Sequence, residues 1–387
     1  MTCSWPPARA DRANSVDGPD RIGGMDSVLV NFVYAPQVGH AIEALHYALG
    51  YHAADPSRRI GVVLNANTPA ELATWCPFID EVHTIDLDLF DPATDARAQL
   101  AEIGKDWDHV VADARSAQPA QRDFFPGLAA YYDQADAYFP GAKGFAGFNK
   151  APSYEPRQPL RLDLPRSERT GFTVLLGGSA DRHMYPTVAS WELILSALAE
   201  RLPGTEFRLL GKLAKDGRTS TTYSRDEYER LAAAVPGARL ALDLPLRDQL
   251  CLVGASKVFL SPHTGFGMAA LATGTPWLCL SGNRWPEFYF NDGVPFYSVL
   301  PDRSRFPCYT MVNPEPEPVE DEGPRTPSMS AARIRADLPE LLDAATLLAG
   351  GGLDYATALA GHRDRLARCW GGDRSMMWSI DNVLAGD

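Results

Sequence analysis

From residue 26 onward the chain alternates short, nearly unbroken apolar runs with longer stretches in which apolar residues return every three or four positions. DSVLVNFVYAP is apolar at successive positions, which predicts a strand buried on both faces. In VGHAIEALHYALGYHAA, Ile42, Leu45 and Leu49 recur at helical spacing. RIGVVLNAN is the next predicted strand, TPAELATWCPF a short helix opened by a Thr68 cap followed by Pro69, and DEVHTIDL a further strand. DHVVADAR continues the alternation, and the aromatic stretch FFPGLAAYYDQADAYFPG reads as less regular chain. Strands alternating with helices predict a parallel sheet with helices on both faces.

Residues 149–170, rich in Pro and Arg, read as an interdomain linker, after which the alternation restarts. GFTVLLGG is a strand, and TVASWELILSALAERL a helix with Trp191, Leu195, Leu198 and Leu202 on one face. PGTEFRLLG is a turn and strand, and SRDEYERLAAAV a helix whose Ser224 and Glu227 make a capping box. ARLALDL, LRDQLCLVGAS and KVFLSPHTGFGMAALATGTPWLCLSG complete a second α/β half. The acidic, Pro-rich run at residues 313–330 is expected to be an exposed loop, and two helical patterns follow it. The expected organisation is a disordered extension over 1–24, one α/β domain over 25–160 and a second over 161–350. Helices over 351–387 can pack back on the first domain. No internal repeat of fixed period is visible.

Composition narrows the function. A chain of 387 residues has room for two domains of about 150 residues each. A net charge of −13 argues against a nucleic-acid partner, which is held mainly by clustered Lys and Arg. The cysteines (Cys3, Cys76, Cys251, Cys279, Cys308, Cys369) form no C-x-x-C pair, so neither a zinc site nor a disulfide framework is indicated, and free thiols in a reducing cytoplasm are expected. No apolar run reaches the roughly 18 residues of a membrane span, and the first 24 residues lack the apolar core of a signal peptide. The H-E-x-x-H, G-x-S-x-G and G-x-x-x-x-G-K-[ST] motifs are absent, which removes the zincin, α/β-hydrolase and P-loop readings.

The candidate chemistry sits at strand-to-helix turns. In SPHTGFGM the amides of Thr264, Gly265, Phe266 and Gly267 open a helix, where unsatisfied N–H groups and the helix dipole favour an anion such as a phosphate. The alternative is a tight turn that needs glycine for its own sake. If phosphates sit there, a side chain at Gly265 or Gly267 is expected to obstruct the ligand more than the fold. GFGMAA also fits the dinucleotide fingerprint G-x-G-x-x-A, but no acid stands at the end of the following apolar run, and the motif opens the last α/β unit of the chain. An NAD(P)-dependent oxidoreductase is therefore kept as an alternative. GGSADRHMYP is a second such turn: Gly177, Gly178 and Ser179 with Arg182 and His183 can meet phosphate, or form a solvated loop. His40, after Gly39 at the first strand end, can act as a general base on a hydroxyl, or serve as a capping or packing histidine. Asp86 and Asp88 have D-x-D spacing and are read as a polar turn, so no metal site is expected.

The order of these motifs resembles the lipopolysaccharide heptosyltransferase family, inverting glycosyltransferases of the GT-B fold, from about residue 25 to residue 307. RIGVVLNANTPAELATWCPFIDEVHTIDL looks like the family's second unit. PLRDQLCLVGASKVFLSPHTGFGMAALATGTPWLCLSG is similar to its longer signature, L-x-E-L-x-x-L-I-x-x-A-D-L-V-V-x-x-D-S-G-x-M-H-L-A-A-A-L-G-T-P. The resemblance implies an α/β GT-B fold, two Rossmann-like domains facing a central cleft. The first domain would bind the acceptor, a small molecule or a glycan, and the second the nucleotide-sugar donor. It further implies inverting, metal-independent transfer with the nucleotide-sugar as co-substrate and no cofactor. The chain departs from the family in four places. His40 stands where the family has its acid, and resembles the histidine base of the other large group of inverting GT-B enzymes. His263 replaces Asp, Met268 replaces His, and the Lys of the Gly-rich loop has no counterpart, His183 being nearest. Donor identity is not carried over. A non-catalytic two-domain binding protein is the third reading.

Overall fold

The computed structural model describes residues 26–34, 37–113, 118–140, 158–214, 220–280, 291–300, 329–369, 371, 372 and 374, with the backbone of 143–144. The expected extension over 1–24, most of the acidic run over 313–330, Cys3 and Cys308 lie outside these residues.

The first sheet is built from β1 (Ser27–Phe32), β2 (Arg59–Asn65), β3 (Glu81–Ile85), β4 (His109–Ala112) and β5 (Lys143–Gly144). Its strands are parallel and ordered β3-β2-β1-β4-β5. The helices are α1 (Val38–Ala54), α2 (Glu71–Thr74), α3 (Arg97–Ile103), α4 (Pro119–Phe124) and α5 (Pro126–Tyr138). Two local expectations are corrected. The aromatic stretch forms α5: Pro126, at the first helical position, supplies a helix-ready φ where no N–H is needed, and Leu128, Tyr131, Tyr132 and Ala135 form its buried face. Thr68 does not cap α2, which begins after Ala70; its own amide bonds the Asn65 carbonyl in the preceding turn.

The second sheet contains β6 (Phe172–Leu175), β7 (Phe207–Gly211), β8 (Ala238–Leu242), β9 (Val258–Pro262), β10 (Trp277–Leu280) and β11 (Phe296–Val299), also parallel, in the order β11-β10-β9-β6-β7-β8. Between and after them come a 3₁₀ turn (Arg182–Met184), α6 (Val188–Arg201), α7 (Arg225–Ala234), α8 (Leu246–Gly254), α9 (Gly265–Ala272), α10 (Ala331–Ala349) and α11 (Tyr355–Cys369). The expected capping box of α7 is present in both directions, and the Thr187 side chain caps α6. Trp191, Leu195 and Leu198 point into the core, whereas Leu202 is the C-cap and only partly covered. Helix α11 packs on β11: Arg365 Nη1 donates to the Ser298 carbonyl at 2.7 Å, and the His362 ring meets Phe296 edge-on at 5.3 Å.

Each sheet is doubly wound. The chain runs outward from β1 to β3 and returns to β4 on the other side of β1; it runs from β6 to β8 and returns to β9 beside β6. The switch points therefore lie at β1/β4 and β6/β9, where the crevice beyond the strand carboxyl ends receives ligands in such folds. Helix α9 is apolar around its whole circumference, as a fully buried helix must be, and lies between its own sheet and α1. One apolar core thus runs from β1 and β2 through α1 and α9 to β9 and β10.

The composition of the linker does not make it a loose tether. Leu160 and Leu162 are buried, the Leu162 amide donates to the Ala272 carbonyl, and the Asp163 amide donates to the Trp75 carbonyl. Asn291, fully buried, clamps the segment: its Oδ1 accepts from the Leu160 amide at 2.8 Å, and its Nδ2 donates to the carbonyls of Leu160 and Leu271 at 2.8 and 2.9 Å. Among the described residues Cys76 and Cys251 are free thiols, and burial pushes the Cys76 thiol up to about 12. No described helix is long and apolar enough to cross a membrane.

Replacing Asn291 with Ala strands buried backbone groups on two segments, so the variant is expected to lose about 2–3 kcal/mol in urea unfolding with the m-value unchanged. A change below roughly 0.5 kcal/mol, the size of an ordinary surface effect, would show that the clamp does not secure the linker.

Candidate functional site

The two halves meet at a pair of glycines. A Cβ built on Gly39 lies 2.8 Å from the Gly265 Cα and 3.0 Å from the Met268 Sδ; one built on Gly265 lies 2.9 Å from the Gly39 nitrogen. The first turns of α1 and α9 therefore touch backbone to backbone, which residues with side chains do not allow. Since α1 follows β1 and α9 follows β9, the contact joins the two switch points. It places His40 and Thr264, each one residue from a contacting glycine, at the same junction.

His40 is the third residue of α1 and half-buried. Its Nδ1 lies 3.1 Å from the Gln37 Oε1, and the Tyr34 ring stands edge-on to the imidazole at 5.2 Å between centroids. With Nδ1–H donating to an amide oxygen, Nε2 is the acceptor nitrogen of the ring. Two buried acids lie in the same half. Glu43, one turn further along α1, receives the Tyr47 hydroxyl at 3.5 Å; Asp113 follows β4 directly, and its amide donates to the Asn31 carbonyl of β1. Asp113 was not singled out from the sequence, although the strand-end rule that selected His40 applies equally to DHVVADAR.

On the other side, Thr264 caps α9, its Oγ1 accepting from the Gly267 amide at 3.3 Å while its carbonyl accepts from the same amide at 3.0 Å. Of the amides from Thr264 to Gly267, that of Gly267 is therefore used by the cap itself. The expected reason for the glycines is corrected as well. A Cβ on Gly267 would lie 2.1 Å from the Trp277 indole, and Gly265 makes room for α1, so both glycines serve packing. The His263 amide donates to the Leu280 carbonyl, and its half-exposed ring lies tilted against the Trp277 ring at 6.0 Å.

The second Gly-rich turn lies beside the first. A Cβ on Gly178 would be 3.7 Å from the Thr264 Cγ2 and 3.2 Å from the Tyr185 hydroxyl; the space over Gly177 is filled by the Tyr185 and Tyr223 rings. Tyr185 accepts from the Ala180 amide, and burial raises its phenol above the ordinary value, which keeps it neutral. Ser179 is exposed. The His183 Nε2 is buried and has no hydrogen-bond partner among the described residues.

Arg182 is placed differently from the expectation that it reaches phosphate. Its guanidinium forms a two-point pair with Glu227, donates to the Thr222 carbonyl at 3.1 Å and lies over the Tyr223 ring at 4.2 Å. Burial works to raise the Glu227 pKa, yet the bonds from Arg182 and Ser224 outweigh it and hold the carboxyl down at about 2. The carboxylate that completes the α7 capping box also holds the arginine. Asp86 and Asp88 sit in an exposed turn, the Asp88 Oδ1 accepting from the Phe90 amide. Among the described residues no group of three or more His, Cys, Asp or Glu side chains is arranged to hold a metal ion.

Solved structures place this architecture. The chain is similar to an E. coli heptosyltransferase WaaC with ADP-2-deoxy-2-fluoro heptose, at 12% identity and a TM-score of 0.52, over 81% of this chain and 99% of that one. It is similar to a glycosyl transferase family 9 structure from Veillonella parvula at 12% identity and a TM-score of 0.56, over 82% and 97% of the two chains. E. coli ADP-heptose lps heptosyltransferase II gives 14% identity and a TM-score of 0.52, over 82% and 98%. At these identities the likeness is one of fold, and the fold is the α/β GT-B arrangement of two Rossmann-like units expected from the motifs. No family model and no curated protein matches the chain.

Because both glycines of α9 are packing elements, Gly265→Ala and Gly267→Ala are each expected to lose about 1–3 kcal/mol of stability, the usual cost of overpacking. Gly267→Ala combined with Trp277→Phe should lose less than the sum of the two single changes, as contacting residues do. Equilibrium unfolding decides this; alanine variants as stable as the parent would contradict the packing role.

Proposed function

We propose that this chain is an inverting glycosyltransferase that moves a sugar from a nucleotide-sugar to an acceptor hydroxyl, with His40 as the general base. The observation that carries the reading is the junction at Gly39 and Gly265, which brings a histidine at the carboxyl end of the first sheet beside a helix N-terminus at the switch point of the second. The fold neighbours support it, since one is a heptosyltransferase with an ADP-linked sugar analogue and another an ADP-heptose heptosyltransferase.

In the proposed reaction the acceptor hydroxyl gives its proton to His40 Nε2 as its oxygen bonds to the anomeric carbon from the face opposite the leaving group. The bond from that carbon to the diphosphate oxygen breaks, its electron pair leaves with the nucleoside diphosphate, and the configuration inverts. Two tasks fall to the protein: accepting the proton, and stabilising the charge that grows on the diphosphate. The second is assigned to the Gly265 and Phe266 amides at the start of α9, the Gly177–Ser179 turn beside them, and the imidazoles of His263 and His183. Arg182, held by Glu227, is assigned to keeping that turn in place. No metal takes part in this scheme.

The nicotinamide alternative loses ground on one detail. In the dinucleotide fingerprint the second glycine lets the pyrophosphate approach the backbone, whereas here the space over Gly267 belongs to Trp277.

The test pairs a thermal-shift panel of ADP, UDP, GDP, dTDP and NAD(P) with turnover of the matching nucleotide-sugars. One nucleoside diphosphate should raise the melting temperature, and its sugar conjugate should be turned over in excess EDTA. His40→Ala should lower kcat roughly 10²–10⁴-fold while binding that diphosphate normally. Turnover lost on chelation and restored by Mn²⁺ or Mg²⁺ would remove the metal-free scheme, and a fully active His40→Ala would pass the base to Glu43 or Asp113.

A further inference from the structure

Two of the large apolar side chains left exposed among the described residues lie together, and they lead to His40. Phe90 is 60% and Phe124 65% exposed. Phe90 follows the carboxyl end of β3, and Phe124 and Phe125 lie on the connection that follows β4, so all three come from chain leaving the sheet edge where β1 delivers Tyr34 and His40. The rings form one cluster: Phe124 to Phe125 at 4.7 Å, Phe90 to Phe125 at 5.2 Å and Phe90 to Phe124 at 6.1 Å. Phe125 meets Tyr34 edge-on at 5.8 Å, and Tyr34 meets the His40 imidazole at 5.2 Å.

The cluster is held in place by backbone. The Gly127 amide at the start of α5 donates to the Leu89 carbonyl at 2.8 Å, and a Cβ there would lie 2.0 Å from the Asp88 carbonyl oxygen. Because Gly127 has no side chain, α5 can press the Phe124–Phe125 segment against the loop that carries Phe90. The phenylalanines neither donate nor accept hydrogen bonds, so whatever covers them is bound through ring faces and apolar area. The charged neighbours do not favour an anion either. Asp86, Asp88, Asp91 and Asp123 are exposed around the cluster, and the nearby Arg122 is paired with Asp133.

We infer that this ring cluster is the landing surface for the acceptor, and that the acceptor is an uncharged, apolar, ring-bearing molecule whose hydroxyl is carried past Tyr34 to His40. The inference rests on the transferase reading for its direction and deepens it by naming the substrate class. The size of the patch separates a small molecule from a protein. With roughly 200 Å² for a whole phenylalanine side chain, the two exposed rings offer about 250 Å². A stable protein interface buries about 800 Å² on each partner.

The experiment uses 4-methylumbelliferone, a planar neutral phenol, as probe, with methyl glucoside as the polar control, on the full chain and on Phe90→Ser/Phe124→Ser. Both side chains are exposed, so the double variant should melt like the parent and bind its nucleoside diphosphate equally well. The parent should bind the probe and not the control. In the double variant probe affinity should fall at least tenfold, with the KM for the probe as acceptor rising in step and kcat holding within about threefold. Equal probe affinity in the parent and the double variant would overturn the inference. So would a parent that sediments as a dimer and becomes monomeric in the double variant while probe binding stays put, since the rings would then serve a second copy of the chain. If no nucleoside diphosphate binds the parent, the transferase reading fails on its own evidence; the probe measurement still decides whether the rings form a site for apolar rings.

Discussion

The rest of the site depends on the contact between Gly39 and Gly265. A doubly wound sheet gathers ligand-binding turns at its own switch point, but a reaction between two substrates needs turns from both sheets at one place. Here the first turns of α1 and α9 approach until backbone packs on backbone with no room for a Cβ on either glycine. The approach has wider requirements. Helix α9 must be apolar all round because it is covered by α1 as well as by its own sheet, and α1 is buried along nearly its whole length for the same reason. The crossover segment at Leu160 and Leu162 is then packed and clamped by Asn291, so the connection between halves contributes to the core they share.

Much of this was legible in the sequence because it is local. Apolar runs against 3.6-residue spacing located β1 to β4 and β6 to β10, and the Ser224/Glu227 pair announced the start of α7. What was not legible is tertiary. Gly265 and Gly267 suit a phosphate cradle and a packing contact equally well until Gly39 and Trp277 are found against them, from a distant segment and from the next strand. Arg182 looked available in its own loop because its partner, Glu227, lies on another helix and already had an assigned role as cap. The FFPGLAAYY stretch reads as irregular chain because Pro126 signals a break in sequence and a helix start in structure.

The charge arrangement at the junction follows from the same geometry. The Arg182 guanidinium is paired with Glu227, so in the proposed reading the anion falls to helix amides and imidazoles. Amides at a helix start are fixed dipoles that need little reorganisation as charge develops, which suits a leaving diphosphate. The first half supplies the complementary setting: buried Glu43 and Asp113, and a run of aromatic rings leading out to Phe90 and Phe124. In the proposed reading the second half takes the anion and the first a neutral partner, with His40 between them.

The most direct measurement of that arrangement is an NMR titration of the His40 imidazole, assigned by comparison with His40→Ala, with and without the nucleoside diphosphate that stabilises the protein. If the junction places the base beside the diphosphate, saturation should shift the His40 ring resonances and raise its pKa, because a nearby negative charge favours the imidazolium. A His40 titration curve unchanged at saturating nucleotide would contradict the account, since the base and the helix start would then belong to separate sites.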